Sequence, residues 1–205
     1  FTEVTLNEPF AIPKGRSVGK LREHLVDIYR EFIRDGSLRL FLNGKQLIYE
    51  EPDILHAPDF RDGIDGVPRT WRRDIEIAVR ENKRIRGFAA ILPEGSRTIA
   101  GFSLFRRRRV VQGTGEERYR PKDIFGGTNS FRYQRIFGEL HLEGFEVSHT
   151  KDGVKWNGLE SEFIDALKRQ LSEPEPSLLR QADNYRVRPD PKTVRKAAET
   201  AVDEV

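Results

Sequence analysis

Asp74-Ile75-Glu76-Ile77-Ala78-Val79 alternates polar or small with apolar side chains, residue by residue. A period of two is the signature of a strand with one buried face. Two further apolar runs follow, at 84–92 and 97–105, separated by Pro93-Glu94-Gly95-Ser96, and this arrangement predicts a hairpin. A short strand over 108–112 and another from Ile136 to Phe145 complete a strand-rich block, with a glycine- and charge-rich stretch, 113–135, predicted as loop with a short helical piece. On the N-terminal side, Thr2-Glu3-Val4-Thr5-Leu6 predicts a strand. Val18, Leu21, Leu25, Ile28, Phe32 and Ile33 then recur at helical spacing after Ser17, a suitable N-cap. Asn43-Gly44 between Leu38–Leu42 and Gln46–Tyr49 is a strong hairpin signal. On the C-terminal side, Asn157 and Glu160 have the spacing of a capping box. Leu159, Phe163, Leu167 and Leu171 mark a helix that Pro174 and Pro176 end, and Asp190-Pro191 opens a last, weakly apolar helix. The order of strand, helix, hairpin, strand block and helices is that of an α+β protein.

The chain has 205 residues, enough to bury a core without covalent staples. Hydrophobic residues make up 37% and charged residues 34%, yet 13 Phe argue against disorder. No apolar run approaches the roughly 20 residues that span a bilayer, so no membrane partner is expected. There is no Cys, which excludes disulfides, thiolate metal sites and thiol catalysis and fits a cytoplasmic location. The chain begins at Phe1 and holds no Met, and it reads as a piece of a longer polypeptide.

Charge is unevenly spread. The net charge is +3, but residues 101–135 carry nine Lys or Arg against three acidic residues. Arg106-Arg107-Arg108-Arg109 is the densest part, with Lys122, Arg132 and Arg135 nearby in sequence. One reading is a nucleic-acid-binding module in which these seven residues contact phosphate; the other is a solvated hairpin tip. Motifs for self-contained catalysis are missing: there is no Walker-type phosphate loop and no Gly-x-Ser-x-Gly elbow. His24, His56, His141 and His149 lack metal-ligand spacing, so no metal site is expected. A protein-interaction domain docking through its C-terminal helix is a third reading.

Gly101-Phe102-Ser103-Leu104-Phe105 leading into Arg109-Val110-Val111, then Phe137-Gly138-Glu139-Leu140-His141-Leu142, then Ser148-His149-Thr150-Lys151-Asp152, resembles the second domain of GHKL ATPases. The likeness is greatest to the MORC and bacterial MORC-like branch of that superfamily, which also includes DNA gyrase B, MutL, a heat-shock chaperone and histidine kinases. The resemblance covers about residues 1–172. It implies the end of an ATPase domain over 1–55 and a transducer domain with the small-subunit ribosomal protein fold over 71–172; the Pro- and Gly-rich stretch 56–70 between them reads as a linker, and 173–205 as a helical tail without a counterpart in the family. It also implies that Lys151 reaches the γ-phosphate of ATP, with His149, Thr150 and Asp152 supporting its loop. The catalytic Glu, metal-holding Asn, adenine contact and glycine-rich lid of that superfamily are absent here and are expected upstream of Phe1. ATP and Mg2+ would then be cofactors of an intact parent and not of this chain alone. The upstream ATPase domain would be its partner, and homodimerisation and DNA-related work follow from the family.

Overall fold

The computed structural model describes residues 14–186, apart from 81, 116, 148–152 and 174. In chain order the elements are α1 (Arg16–Arg34), β1 (Phe41–Leu42), β2 (Lys45–Gln46), β3 (His56–Ala57), β4 (Arg69–Thr70), β5 (Arg72–Arg80), β6 (Lys83–Ile91), β7 (Gly101–Arg106), β8 (Arg109–Gln112), α2 (Lys122–Phe125), α3 (Phe131–Arg135), β9 (Ile136–Glu143), β10 (Glu146–Val147), β11 (Val154–Lys155), α4 (Glu160–Ser172) and α5 (Leu178–Asn184). The protein is α+β. The strand expected over 2–6 and the helix expected from Asp190 lie outside the described residues.

Five strands form the central sheet in the order β5-β6-β9-β7-β8. All pairings are antiparallel except β7 with β9, which is parallel. This corrects one expectation. The runs at 84–92 and 97–105 do not form a hairpin, because β9 lies between them. Strand order in sequence misleads here, since the close approach is specified by glycines distant in the chain. A Cβ on Gly138 would stand 2.1 Å from the Phe88 carbonyl oxygen, and one on Gly87 1.9 Å from that of Glu139. Only glycine lets the β6 and β9 backbones meet at that seam.

Alternation sorts the two faces of the sheet. Ile75, Ile77, Ile85, Ala89, Phe102, Leu104, Ile136, Leu140 and Leu142 point to one side, into a core shared with α4 and α5. Phe163, Leu167 and Leu171 of α4 are fully buried there. Each such side chain contributes roughly 1.5–3 kcal/mol against exposure. The helix expected from that stripe is present, but its start differs. Asn157 adopts φ 50° in a turn, and Leu159 occupies the N-cap position without a side-chain bond, so no capping box forms. Its C-terminal end is closed by Arg73, whose guanidinium donates to the carbonyls of Gln170 and Pro176 at 2.7 and 2.8 Å. α5 falls within the helical tail expected over 173–205, ahead of the helix expected from Asp190; Ser177 caps it by accepting from the Arg180 backbone N–H.

The 56–70 segment folds back on itself through β3 and β4. It is fastened to its surroundings by Gln181, which is fully buried: its Oε1 accepts from the Phe60 N–H at 2.8 Å and its Nε2 donates to the Pro58 carbonyl at 2.9 Å. The Asn43-Gly44 turn is as expected, both residues having positive φ (52° and 72°) between β1 and β2. α1 starts at Arg16 behind Gly15, so Ser17 lies inside the helix instead of capping it.

Among the described residues, no helix is long and apolar enough to cross a membrane.

Candidate functional site

α1 packs on the sheet's second face, and the way it does so departs from its sequence pattern. Its apolar residues Val18, Leu21, Leu25, Ile28, Phe32 and Ile33 are only half-buried. The most deeply buried side chains of the helix are Asp27 and Arg30. These two, with Arg34, lie three and four residues apart and so share one face. The spacing is present in the sequence, but the apolar stripe beside it has the stronger helical periodicity.

Beneath that face stands Glu139, whose alternation along β9 turns it away from the apolar core. Arg30 Nε donates to Glu139 Oε1 at 2.7 Å, and Arg34 donates through both terminal nitrogens, at 2.9 Å to Oε1 and 3.1 Å to Oε2. Arg34 Nε also reaches Glu51 at 2.7 Å. Asp27 pairs with Arg30 at 2.5 Å and with Arg118 at 3.1 Å, and it accepts from the Gly115 N–H at 2.7 Å. Arg118 further donates to Ser103 Oγ and to the Gly113 carbonyl. The Arg30 guanidinium lies 4.7 Å over the Phe105 ring, which stacks on His141. The result is an ionic lattice joining α1, β7, β9 and the 113–118 turn.

Burial works to raise the Glu139 carboxyl, but the hydrogen bond from Arg34 and the charges of Arg30 and Arg34 outweigh it and hold the group below its ordinary value. Burial pushes the Arg118 guanidinium down, opposed by Asp27. Burial pushes the Tyr49 phenol up. Glu139 is therefore ionised at neutral pH and carries no proton to give. The lattice is suited to fastening and positioning, not to acid–base turnover. Beside it opens a cavity of about 310 Å³, whose lining includes Arg34, Tyr49, Ile54, Arg72, Phe88 and Phe137.

The arginine run forms the tip of the β7–β8 hairpin. Arg106 and Arg109 face each other across the strands, and Arg107 and Arg108 make the turn with φ of 49° and 66°. Arg108 folds onto α1, pairing with Asp35, approaching Glu31 at 3.6 Å, and lying over Phe32. Hydrogen bonds from Ser37, aided by Arg108, lower the Asp35 carboxyl to about 2. Arg106, Arg107 and Arg109 line a groove of about 780 Å³ with His24 and Val147.

The other basic residues do not join them. Arg132 is paired with Asp183 of α5 at 2.9 Å. Arg135 is buried and donates to the carbonyls of Leu92, Pro93 and Tyr185. Lys122 is exposed at the start of α2 and does not line the groove. Arg132 and Arg135 thus serve as internal ties, a role that sequence cannot separate from surface charge. Lys151, His149, Thr150 and Asp152 lie outside the described residues. Around them, β10 and β11 pair with Glu146 opposite Lys155 and Val147 opposite Val154. Gln112 of β8 holds the return strand, its Oε1 accepting from the Val154 N–H at 3.4 Å.

No protein-family model matches the chain, and neither does any curated protein.

Proposed function

We propose that this chain is the transducer part of a GHKL-type ATPase, supplying Lys151 to the γ-phosphate of ATP and coupling nucleotide state to domain position. The observation that carries the reading is the antiparallel pair β10–β11, between which residues 148–152 fall in sequence, with β11 tied to β8 by the Gln112 side chain. This agrees with the family pattern of a lysine on a polar loop that follows a strand. Phosphoryl transfer to water gathers negative charge on the γ-phosphate oxygens, and a cation held there stabilises the transition state. A cation delivered from a second domain is in place only when the domains dock, so nucleotide state and domain position bias one another.

The junction of α1 with the sheet supports the coupling role. If residues 1–55 end an ATPase domain, that domain meets the strand-rich part through ion pairs of Asp27, Arg30, Arg34 and Arg118. Such contacts transmit orientation, because guanidinium–carboxylate pairs are directional where apolar contacts are not. ATP and Mg2+ belong in this reading to the intact parent, with the upstream ATPase domain as partner and homodimerisation and DNA-related work as family features.

ATP turnover by the complete natural gene product, with Lys151→Ala beside it, tests the proposal. Loss of turnover in a variant that melts like the parent supports it. Unchanged turnover, or a variant that fails to fold because Lys151 is structural, overturns the assigned role.

A further inference from the structure

We propose that the groove between α1 and the β7–β8 hairpin binds a phosphate chain, that is, two or more linked phosphates of a nucleotide or of a nucleic-acid backbone. Three guanidinium groups, those of Arg106, Arg107 and Arg109, line it from the hairpin and His24 from α1, with Glu117 the one carboxylate lining it among the described residues. Among the described residues, Arg106, Arg107 and Arg109 have no ion-pair partner, whereas their neighbour Arg108 is taken up by Asp35 and Glu31. The Arg109 guanidinium lies 5.1 Å over the Tyr29 ring of α1, and guanidinium forks without a carboxylate partner among the described residues match the oxygens of phosphate, two donors to each group. A single monoanion would leave the groove positively charged, while a chain of phosphates balances it.

The turn itself points the same way. Its two central residues both have positive φ, a conformation that is sterically costly for a side chain as large as arginine. Elsewhere this chain builds the same kind of two-residue turn from Asn43-Gly44, the residues that adopt it readily. At 107–108 it keeps arginines instead. Arg108 has a structural reason in its contacts with α1. Arg107 is exposed and makes no ion pair among the described residues, so a charge is presented from a strained position.

The groove's role is independent of Lys151, because it concerns equilibrium binding by this chain and not turnover by a parent. The test uses the 205-residue chain at low ionic strength with four probes: inorganic tripolyphosphate, ATP, a short single-stranded oligodeoxynucleotide, and polyglutamate as a polyanion without phosphate. Affinity is read by calorimetry across a salt series for the wild type and three variants. The triple variant Arg106→Gln, Arg107→Asn, Arg109→Gln is expected to lose about tenfold or more in tripolyphosphate affinity, with a salt dependence shallower by about two to three contacts. Arg107→Asn alone suits the positive φ and keeps the turn, so it reports even where the triple variant folds poorly; a loss of about threefold is expected for one phosphate contact. Lys122→Gln with Arg97→Gln, away from the groove, is the charge control.

Tighter binding of ATP and tripolyphosphate than of DNA supports the groove as a nucleotide site. Tighter binding of DNA, with a steeper salt slope, supports it as a site for a nucleic-acid backbone. Absence of binding to every phosphate probe overturns the proposal. So does polyglutamate binding as tightly as tripolyphosphate, an unchanged affinity in Arg107→Asn, or an equal loss in the charge control.

Discussion

Arg30 Nε and Glu139 Oε1 are 2.7 Å apart, although 109 residues separate them in the chain. The bond fixes the N-terminal helix to the middle strand of the sheet, and both partners are almost fully buried. Removing one member of such a pair leaves an uncompensated charge. Glu139→Gln is therefore expected to lower stability by about 3–5 kcal/mol, measured by urea unfolding. A double variant that also replaces Arg30 with Met should recover part of the loss; strict additivity of the two changes would show that the residues are not coupled.

The same carboxylate sets an acid limit. Its folded-state value lies below the ordinary 4.5, so the unfolded chain binds its proton first as pH falls. The stability it contributes is fully present above that ordinary value and is lost as pH drops through the lowered one. Unfolding midpoints followed from pH 6 downward should decline in the wild type below about pH 4.5. In Glu139→Gln the decline should be shallower by this one group.

The β6–β9 seam predicts a sharp glycine contrast. Gly138→Ala would set a Cβ 2.1 Å from the Phe88 carbonyl oxygen, between two backbones that cannot both move aside. A loss of roughly 3 kcal/mol or an insoluble product is expected. Gly127→Ala, where a Cβ meets nothing within 4 Å, should unfold like the wild type.

Gly19 lies within α1 and a Cβ there also meets nothing within 4 Å. Gly19→Ala should stabilise the protein by roughly 0.5–1 kcal/mol, through a lower entropy of the unfolded chain and a better helix former. A higher thermal midpoint checks it; a lower one would mean that this face of α1 is covered in solution.

Local signals in the sequence were the ones that translated into structure. The Asn43-Gly44 turn and the four-residue stripe from Leu159 to Leu171 need only neighbours a few residues away, and both are present. The alternation at 74–79 placed β5 and its buried face. What pairs with what was not legible, because the seam of β6 with β9 needs glycine at both 87 and 138, 51 positions apart and unremarkable in isolation. The ionic lattice was hidden for a related reason. Periodicity reads hydrophobicity, and α1 buries its charged Asp27 and Arg30 more deeply than its apolar stripe. Of the basic segment, Arg132 and Arg135 turned inward to Asp183 and to backbone carbonyls, which composition alone cannot foretell. The lysine loop rests on resemblance, and its residues lie outside those described.

The position of β9 has a consequence for synthesis on the ribosome. β5 with β6 and β7 with β8 emerge as two separate antiparallel ribbons, which share no edge. They become one sheet only when residues 136–143 clear the exit tunnel and slide between them, pairing in opposite senses on the two sides. Until that moment Ile85, Ala89, Phe102 and Leu104 lack their neighbours on the central strand, and two ribbon edges are left unpaired. The nascent sheet is thus most vulnerable to aggregation in the interval after β8 has emerged and before its keystone strand arrives.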